Sequence, residues 1–531
     1  MPGLLDFDSS SLNSYLQKYG LSATWAGILE AHLRNSEKFH YILESDFFSN
    51  FASFETDILD GLSIGEIGIL YEYSVAFLDP TNRKENGQFF TPDDVAKVMA
   101  GLSNSSFFEK GKVWLDPCSG IGNLSWHLCV SQEDPEKFLL SNLVLSDRDE
   151  LALQIARVLF TVSFQNRKKN FYNLIAERFV VFDFLSVAES PDSLDLEGLP
   201  LAGIPKHDYV LVNPPYLATN RDPRFETADA RDLYAYFLEN IVKTSSGFVS
   251  VTPQSFTNAA KFKPLRRLLL NNFQQLTIYC FDNVPGNLFR GFKFGSKNTN
   301  TSNSIRAAIT VATKGERKIH RITSLIRWKS EDRVKLLANL DGFLSTITLT
   351  EECFPKVNRT FRDLYKELGK NGFESLADLV SSNGQFELHV PSSPRYYISA
   401  LKSPVDRVSM HTLKFPNKKT RDIAYLVLNS SVAYWWWRVR DGGMTLSLST
   451  LLSTPIPSFE VRQTLVSKLE KSEVSNKVYK NNAGASRENV KHNSELILEV
   501  NRLVKPDWAE KLILVHENSE FAQIGRPSSS A

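Results

Sequence analysis

The sequence lacks the features that would mark a secreted, membrane-spanning or repetitive protein. Its 531 residues include only four cysteines, Cys118, Cys129, Cys280 and Cys353, and their spacing fits neither a disulfide framework nor a zinc ribbon. It contains no uninterrupted apolar run of about eighteen residues, no signal-peptide pattern and no internal repeat. We therefore expect a soluble, cytoplasmic protein without a bound metal.

An excess of charge of either sign is also absent. The 61 lysines and arginines nearly balance the 60 aspartates and glutamates, so total charge does not indicate a nucleic-acid partner. Two segments are nevertheless locally basic. Lys261–Lys297 holds seven basic residues and one acidic residue, and Lys402–Arg440 holds eight and two. Each segment is either a phosphate-binding surface or an ordinary solvated face.

The length and the 42% hydrophobic content are sufficient for two or three domains with real cores. Changes in pattern along the chain divide it into four parts. We predict a helical N-terminal segment over residues 1–80, an α/β domain over 81–318, a mixed α+β domain over 319–460 and a helical C-terminal tail over 461–531.

The α/β prediction rests on short β-rich runs that alternate with amphipathic helices. Such alternation is typical of a mostly parallel, doubly wound sheet, here with seven strands. The predicted strands are residues 113–116, 143–147, 179–183, 209–213, 248–252, 276–280 and 305–312.

Four of these runs end in a polar side chain, namely Asp116, Asp147, Asp183 and Asn213. Ligands of doubly wound sheets bind beyond the carboxyl ends of the strands, so the four side chains are candidates for one site. Asp147 could accept the hydroxyls of a ribose or could cap the helix predicted over 149–162. Asp183 could accept from an adenine amine, with Phe184 beside the ring, or could cap a turn.

A glycine turn follows the first strand in the pattern Asp-Pro-x-x-Gly-x-Gly, which includes Asp116, Pro117, Gly120 and Gly122. Glycines at such a turn let the backbone approach a ligand closely, and the acid can bind a cationic amine or a hydroxyl. The pattern differs from those that bind pyrophosphate or cradle phosphate.

The fourth strand leads into Asn213-Pro214-Pro215-Tyr216. Two successive prolines fix the backbone φ angles and end regular structure. They either make a rigid exit from the strand or hold a carboxamide and an aromatic ring in place for chemistry.

Several blocks, in this order, resemble the motifs of the DNA adenine-N6 methyltransferases that use S-adenosylmethionine. The group concerned has its cofactor, catalytic and recognition parts in that sequence order. The resemblance covers residues 86 to about 313. The blocks are "NGQFFTP" (86–92), "DPCSGIGN" (116–123), Asp147 and Asp183, "NPPY" (213–216), "DLYAYFLENIV" (232–242) and "GFVSVTPQSF" (247–256).

The resemblance implies a role for each candidate residue. The catalytic residues would be Asn213, Pro214, Pro215 and Tyr216. The residues that bind S-adenosylmethionine would be Phe90, Thr91, Pro92, Asp116, Pro117, Gly120, Gly122, Asp147, Asp183, Phe184 and Asn213. Tyr216 and Phe289 would stack on the substrate base, with Phe292 as the alternative to Phe289. Cys118 departs from the family's pattern and could be a small buried filler.

The same resemblance implies a Rossmann-like methyltransferase domain over 81–318 and a DNA-recognition domain over 319–460. The expected partners are double-stranded DNA and a possible separate restriction endonuclease or specificity partner. An RNA base or a protein glutamine amide is the alternative substrate, and a subunit with a vestigial catalytic loop is the third possibility. Trp435, Trp436 and Trp437 fit a core better than wedges between bases.

Overall fold

The centre of the computed structural model is a mixed sheet of nine strands. The structure describes residues 9–49, 52–79, 91–186, 204–289, 293–294, 297–298, 305–370, 372–394, 396–407, 409–443, 445–482, 485–517 and 519–520. The strands are Trp114–Asp116 (β1), Leu143–Asp147 (β2), Phe179–Val181 (β3), Tyr209–Val212 (β4), Gly247–Pro253 (β5), Gln275–Phe281 (β6), Ala307–Thr313 (β7), Ile319–Ile326 (β8) and Ser345–Thr346 (β9). Each of the seven predicted β-rich runs overlaps one of them.

The order of strands across the sheet is β9-β8-β6-β7-β5-β4-β1-β2-β3. β1 is parallel to β2 and β4, and β4 is parallel to β5, whereas β7 is antiparallel to both of its neighbours. The chain proceeds outward from β1 to β3 on one side and from β4 on the other, so the order reverses between β1 and β4. This arrangement confirms the predicted α/β, doubly wound class and places its ligand crevice at the ends of those two strands.

Strands β8 and β9 extend the sheet beyond residue 318, the predicted limit of the α/β domain. β8 pairs in parallel with β6, from Ile319 beside Gln275 to Ile326 beside Phe281, and β9 pairs antiparallel with β8. The alternating side chains of β8 are largely buried against the core of the sheet. The sequence pattern changes near residue 318, but the sheet continues past that position.

Helices connect many of the strands and follow the main sheet in the described C-terminal residues. None in the described ranges is both long and apolar enough to cross a membrane. The α-helices are Ser10–Arg34 (α1), Ile64–Leu78 (α2), Asp93–Ser103 (α3), Asn123–Val130 (α4), Pro135–Ser141 (α5), Glu150–Phe164 (α6), Phe171–Leu174 (α7), Leu233–Thr244 (α8), Lys263–Asn272 (α9), Arg333–Leu337 (α10), Arg362–Leu368 (α11), Leu376–Leu379 (α12), Lys418–Leu428 (α13), Ser431–Arg440 (α14), Leu448–Leu452 (α15), Gln463–Ser475 (α16), Ser494–Val504 (α17) and Ala509–Leu512 (α18).

The N-terminal helices pack onto the flank of the sheet domain. Trp25 of α1 and Leu70 of α2 share a hydrophobic cluster with Ile155 and Leu159 of α6 and with Ile121 of the glycine turn. Removal of this apolar surface from water holds α1 and α2 against the turn. The N-terminal segment is thus joined to the region in which the sequence predicts a ligand.

The C-terminal part contains two antiparallel hairpins in addition to its helices. Phe386–Pro391 (β10) pairs with Met410–Phe415 (β11), and Lys477–Asn482 (β12) pairs with Ala485–Val490 (β13). α14 is tied to the main sheet because Arg438 lies 2.5 Å from the buried carboxylate of Asp282, at the end of β6. Arg306 and Arg327 bind the same carboxylate at 2.8 and 2.9 Å.

Candidate active site

A cavity of about 670 Å³ opens at the carboxyl ends of β1, β2 and β4. Nine predicted site residues line it, and they come from five separate stretches of the sequence. They are Thr91, Asp116, Pro117, Gly120, Asp147, Asp183, Phe184, Asn213 and Pro215. The fold therefore gathers nine of the predicted cofactor and catalytic residues around one cavity.

The other predicted residues lie behind this lining or outside the described residues. Pro92 begins α3, and its carbonyl accepts the N–H groups of Val95 and Ala96. A Cβ atom at Gly122 would lie 2.7 Å from the ring of Phe160, so glycine is needed there for packing. Pro214 is buried beneath the lining. Phe90 and Phe292 lie outside the described residues.

Asp116 and Asn123 present buried oxygen atoms to the cavity. Oδ2 of Asp116 accepts a hydrogen bond from the Ser125 hydroxyl at 2.9 Å. Asp116 Oδ1 and Asn123 Oδ1 have no hydrogen-bond partner within the described part of the chain. Burial raises the pKa of Asp116 to about 7, and the nearby charge of Asp147 adds to the shift. A cationic amine in the cavity would bind both oxygens and relieve the desolvation of the carboxylate.

Asp147 holds the glycine turn against the second strand. Its Oδ2 accepts from the Gly120 N–H at 2.8 Å, and its Oδ1 accepts from the Asp149 N–H at 3.0 Å. Gly120 has a φ of 53°, a conformation in which other residues are strained. The N-cap of α6 is Asp149, whose side chain accepts from the Ala152 N–H. The interpretation of Asp147 as the helix cap is therefore wrong.

Asp183 is exposed at the rim of the cavity, and its Oδ1 accepts from the Leu185 N–H at 2.9 Å. It therefore closes a turn while it also lines the cavity, so a ligand role and a turn role are compatible. Phe184 is 1% exposed and stacks on Phe237, with ring centroids 5.5 Å apart. Phe184 and Phe237 form an apolar wall next to Asp183.

The carboxamide of Asn213 is fixed from two sides. Its Nδ2 donates to Thr91 Oγ1 at 2.9 Å, and its Oδ1 accepts from the Tyr216 hydroxyl at 2.6 Å. The Asn213 backbone carbonyl accepts from the Cys118 thiol at 3.2 Å. Thr91 and Cys118 thus hold the residue between the segment before α3 and the glycine turn.

Tyr216 is turned inward and is 9% exposed. Besides Asn213, its hydroxyl contacts the Val251 carbonyl at 2.8 Å. Burial raises the pKa of this hydroxyl well above its usual value, so it keeps its proton and can donate. Edge-on contacts with Tyr234 and Phe289, at centroid distances of 6.4 and 6.0 Å, pack against its ring. In this arrangement the two predicted stacking rings, Tyr216 and Phe289, touch each other.

The sequence analysis did not identify α2 as a wall of the cavity. Gly68, Tyr71, Glu72 and Val75 of this helix line it. The Tyr71 hydroxyl donates to Asp149 Oδ2 at 2.7 Å and so joins α2 to the acid-rich end of β2. The sequence analysis placed this stretch only in a helical N-terminal segment. The glycines within this apolar helix were the one sign in the sequence that another part of the molecule or a ligand could lie close to its backbone.

Several cations of the two basic segments lie inside the protein, which neither of the two interpretations of these segments included. In the first, Arg266 is 1% exposed and donates to backbone carbonyls, and Lys263 is paired with Glu352. In the second, Lys402 is paired with Asp422 at 3.0 Å and Arg438 with Asp282. Many of these charges neutralise acids or cap carbonyls inside the protein, which a count along the sequence cannot reveal.

The three consecutive tryptophans belong to the core. Trp435, Trp436 and Trp437 of α14 are 3%, 5% and 1% exposed. Trp435 packs near Phe361 and Trp436 stacks on Tyr365. Their burial agrees with the core interpretation and leaves no ring available as a wedge between bases.

The strand order, the glycine turn and the acidic strand ends beside Asn-Pro-Pro-Tyr are those of a Rossmann-like methyltransferase fold. Comparison with known proteins agrees. The family model described as N-6 DNA Methylase matches residues 63–180, and the model described as Eco57I restriction-modification methylase matches residues 141–286. These matches confirm the predicted resemblance to the adenine-N6 methyltransferases and extend it upstream to include α2.

Two curated relatives share the same region. The chain is 26% identical to the Type II methyltransferase M.BsuBI of Bacillus subtilis over 213 residues, which is 38% of this chain and 40% of that protein. It is 24% identical to the Type II methyltransferase M.PstI of Providencia stuartii over 214 residues, 39% and 40% of the two chains. The match thus spans about two fifths of each relative. A cryo-EM structure of a DrdV–DNA complex aligns with 71% of this chain and 45% of that chain, at 13% identity and a TM-score of 0.45.

Proposed function

We propose that the protein is a site-specific DNA methyltransferase that transfers a methyl group from S-adenosylmethionine to the N6 amine of a flipped-out adenine. One observation carries the proposal. The Asn213 carboxamide lines the same cavity as two buried oxygens, Asp116 Oδ1 and Asn123 Oδ1, that lack partners among the described residues. This arrangement supports a role for the Asn213 carboxamide in binding an amine, beside buried oxygens that would hold a cationic cofactor.

The residues present fit S-adenosylmethionine, which supplies a methyl group made electrophilic by its sulfonium. Asp116 and Asn123 would accept from the amino group of its methionine end, and Thr91 and Pro92 would border that end. Asp147, with Pro117, Gly120 and Gly122 of the turn, would hold the ribose. Asp183 and Phe184 would flank the adenine ring, and Phe90 stays a prediction.

The chain's contribution to the chemistry would be to activate a weak nucleophile. The N6 lone pair of adenine is delocalised into the ring, so the amine needs help to attack. Asn213 Oδ1 and the Pro214 carbonyl would accept the two amine hydrogens and pull the nitrogen toward tetrahedral geometry. Because Pro214 and Pro215 fix φ, the acceptor carbonyl is oriented at little entropic cost.

Base entry requires Tyr216 to move. An adenine in a duplex has to leave the stack to reach the cavity, at a cost of a few kcal/mol. The incoming amine would displace the Tyr216 hydroxyl from Asn213 Oδ1, and the freed ring would stack on the base, with Phe289 as the opposite wall. Base–aromatic stacking contributes about 1–3 kcal/mol, which offsets much of the cost of flipping.

Substitutions at Tyr216 separate its ring from its hydroxyl. Tyr216→Phe keeps the stacking face and removes the competitor for Asn213 Oδ1, so methylation should stay within about threefold of wild type because stacking is retained. Tyr216→Ala should lower kcat/KM roughly 10- to 100-fold, the value of one lost stack. Steady-state kinetics on a DNA duplex measure both. Equal losses in the two variants would instead give the hydroxyl a part in catalysis.

Tyr71 is expected to support cofactor binding through Asp149. Tyr71→Phe removes a hydrogen bond to a carboxylate, so the dissociation constant for S-adenosylmethionine should rise roughly tenfold. Isothermal titration calorimetry measures it. Tyr73→Phe is the matched control, because Tyr73 lies on the same helix and donates to Asn13 at 2.9 Å. Equal affinities in the two variants would remove Tyr71 from the cofactor site.

The substrate is tested by following labelled methyl groups into separate DNA, RNA and protein fractions. We expect incorporation into double-stranded DNA, recovered as N6-methyldeoxyadenosine after digestion to nucleosides. Label in RNA or in protein glutamine would support the alternative substrates, and no label in any fraction would support a vestigial site. Exposed cations such as Arg267, Lys418 and Lys419 remain available for phosphate contacts.

We propose further that residues beyond the main sheet, within 319–460, read the DNA sequence and that residues 461–531 support them. The curated relatives are Type II methyltransferases, which supports a role in restriction-modification or defence in the cytoplasm. A separate endonuclease or specificity subunit would be the partner in such a system.

A further inference from the structure

Arg333, at the start of α10, makes an unusually complete set of hydrogen bonds. Its guanidinium donates to both carboxylate oxygens of Asp94, from Nε at 2.6 Å and from Nη2 at 2.8 Å. It also donates to the backbone carbonyls of Asn287 at 2.8 Å and Leu288 at 2.9 Å. The side chain is 3% exposed, although the next residue, Val334, is 79% exposed. The Arg333 side chain is therefore buried although its helix lies at the surface.

Asp94, the carboxylate partner of Arg333, lies next to residues proposed to bind the cofactor. We call this part of the cavity the cofactor side. Asp94 lies in the first turn of α3, three residues after Thr91. Thr91 accepts the Asn213 amide through its hydroxyl and accepts from Asn123 Nδ2, at 2.7 Å, through its carbonyl. The position of α3 therefore determines where Thr91 meets the catalytic carboxamide.

The two backbone carbonyls that bind Arg333 lie next to Phe289, which is proposed to face the flipped base. We call this part of the cavity the base side. Asn287 and Leu288 immediately precede Phe289, whose N–H donates to Asn287 Oδ1 at 2.9 Å. The Phe289 side chain is 1% exposed, and its ring meets that of Tyr216. The two carbonyls bound by Arg333 therefore fix the backbone that presents this ring.

We infer that Arg333 is a positioning residue that locks the distance between the cofactor side and the base side of the active site. The inference rests on the proposed function. Arginine suits the task because its planar guanidinium can bind a carboxylate with two bonds while it donates to carbonyls on its other edges. Lysine keeps the charge but cannot hold four acceptors in fixed directions.

Stability alone is a weak explanation for this ion pair. Desolvation of the buried guanidinium cancels much of its attraction to Asp94, whose side chain is 40% exposed, so the pair adds little net stability. Specific geometry is a better reason for its presence. One guanidinium binds Asp94, which is 239 residues away in sequence, and Asn287, which is 46 residues away. Both of these partners lie within a few residues of predicted site residues.

Arg333→Lys tests the inference, with Arg321→Lys as the control. Arg321, on β8, is partly buried, donates to Thr277 and lies over the ring of Phe107, near the opposite edge of the sheet. Kinetics are measured on a duplex that carries the methylated motif found by sequencing. Base flipping is followed in a second duplex with 2-aminopurine, which has no N6 amine to methylate, in place of the target adenine. In Arg333→Lys we expect kcat to fall at least roughly tenfold through misplacement of the reacting groups. KM for S-adenosylmethionine should stay within about threefold, because its binding groups remain. The 2-aminopurine signal should fall by more than about half, because the flipped base loses its wall. The control should match wild type.

A double-mutant cycle identifies the residue through which Arg333 acts. If it positions Phe289, Arg333→Lys combined with Phe289→Ala should be no slower than Phe289→Ala alone, whereas a general structural role would make the two losses multiply. Asp94→Asn gives a second route should Arg333→Lys fold poorly, and it should reproduce the same loss of kcat. Multiplicative losses, or wild-type kinetics in Arg333→Lys, would overturn the inference while the proposed function stands. Absence of flipping and methylation in wild type would overturn both.

Discussion

Replacing Asn213 by alanine is expected to lower methyl transfer at least roughly a thousandfold, because the variant loses a preorganised acceptor aimed at the reacting amine. The Asn213 side chain supplies one of the two proposed acceptors, and the Pro214 carbonyl cannot orient the amine alone. Cofactor affinity should change less than about threefold, since the acidic groups proposed to hold the cofactor remain. Single-turnover methylation kinetics and calorimetry measure the two effects separately.

The control for this substitution lies at the amino ends of the parallel strands, whereas the cavity lies at their carboxyl ends. Asn142 precedes β2, and its amide donates to the Gly111 carbonyl at 2.8 Å. Asn142→Ala removes the same side chain far from the cavity and should keep wild-type kinetics. Loss of both methylation and cofactor binding in Asn213→Ala would show that Asn213 belongs to the cofactor site and that the assignment of the catalytic group is wrong.

The second large effect concerns Asp116. Asp116→Asn keeps the shape of the side chain and removes its charge, so the dissociation constant for S-adenosylmethionine should rise roughly 10- to 100-fold, the value of a hydrogen bond to a charged group. Asp208→Asn is the control, because Asp208 lies at the start of β4 and accepts from the Val113 N–H at 2.9 Å. Unchanged affinity in Asp116→Asn would exclude a carboxylate–ammonium pair.

The pKa of Asp116 also predicts a pH dependence. Because burial raises that pKa to about 7, the carboxyl becomes protonated as the pH falls from 8 to 6 and loses its attraction for an ammonium group. Wild-type affinity should therefore fall on acidification over this range more steeply than that of Asp116→Asn. Comparison of the two titration profiles isolates the contribution of Asp116.

The stability of the cofactor-free protein should depend on pH in the opposite direction, because Asp116 makes the fold less stable as the pH rises. The folded protein binds a proton at Asp116 up to a pH near 7, whereas the unfolded chain releases it near 4, so folding is favoured at low pH and this contribution declines as the pH rises through 7. Asp116→Asn should melt at a higher temperature than wild type at pH 8, and the difference should shrink at pH 5. Thermal melts of both proteins at the two pH values measure it.

Much of the fold was predictable because its signals are local. Each β-rich run is a short hydrophobic stretch between helices, and the polar residue that ends it marks the edge where parallel strands meet. Asp116, Asp147 and Asn213 could thus be assigned to one site from their positions in the sequence. Strands β8 and β9 were missed because the clear alternation of strands and helices ends before them in the sequence, although the sheet itself continues.

The remaining features depend on contacts between distant segments. Nothing near Tyr71 predicts that its hydroxyl meets Asp149, and nothing near Arg333 predicts that its partner is Asp94. The sequence left both interpretations of the basic segments open for a related reason, since the acids and carbonyls that bind Arg266 and Arg438 lie elsewhere in the chain. Sequence spacing reports the secondary structure that carries a side chain, but tertiary packing determines what the side chain binds.

The central claim is that this chain methylates adenine N6 in DNA by means of Asn213. Its most direct test is sequencing that detects N6-methyladenine in DNA from cells that express either the wild-type protein or Asn213→Ala at equal levels. We predict modification at adenine within one recognised motif in the wild-type sample and none in the variant. An unmodified genome in both samples, or equal modification in both, would contradict the claim.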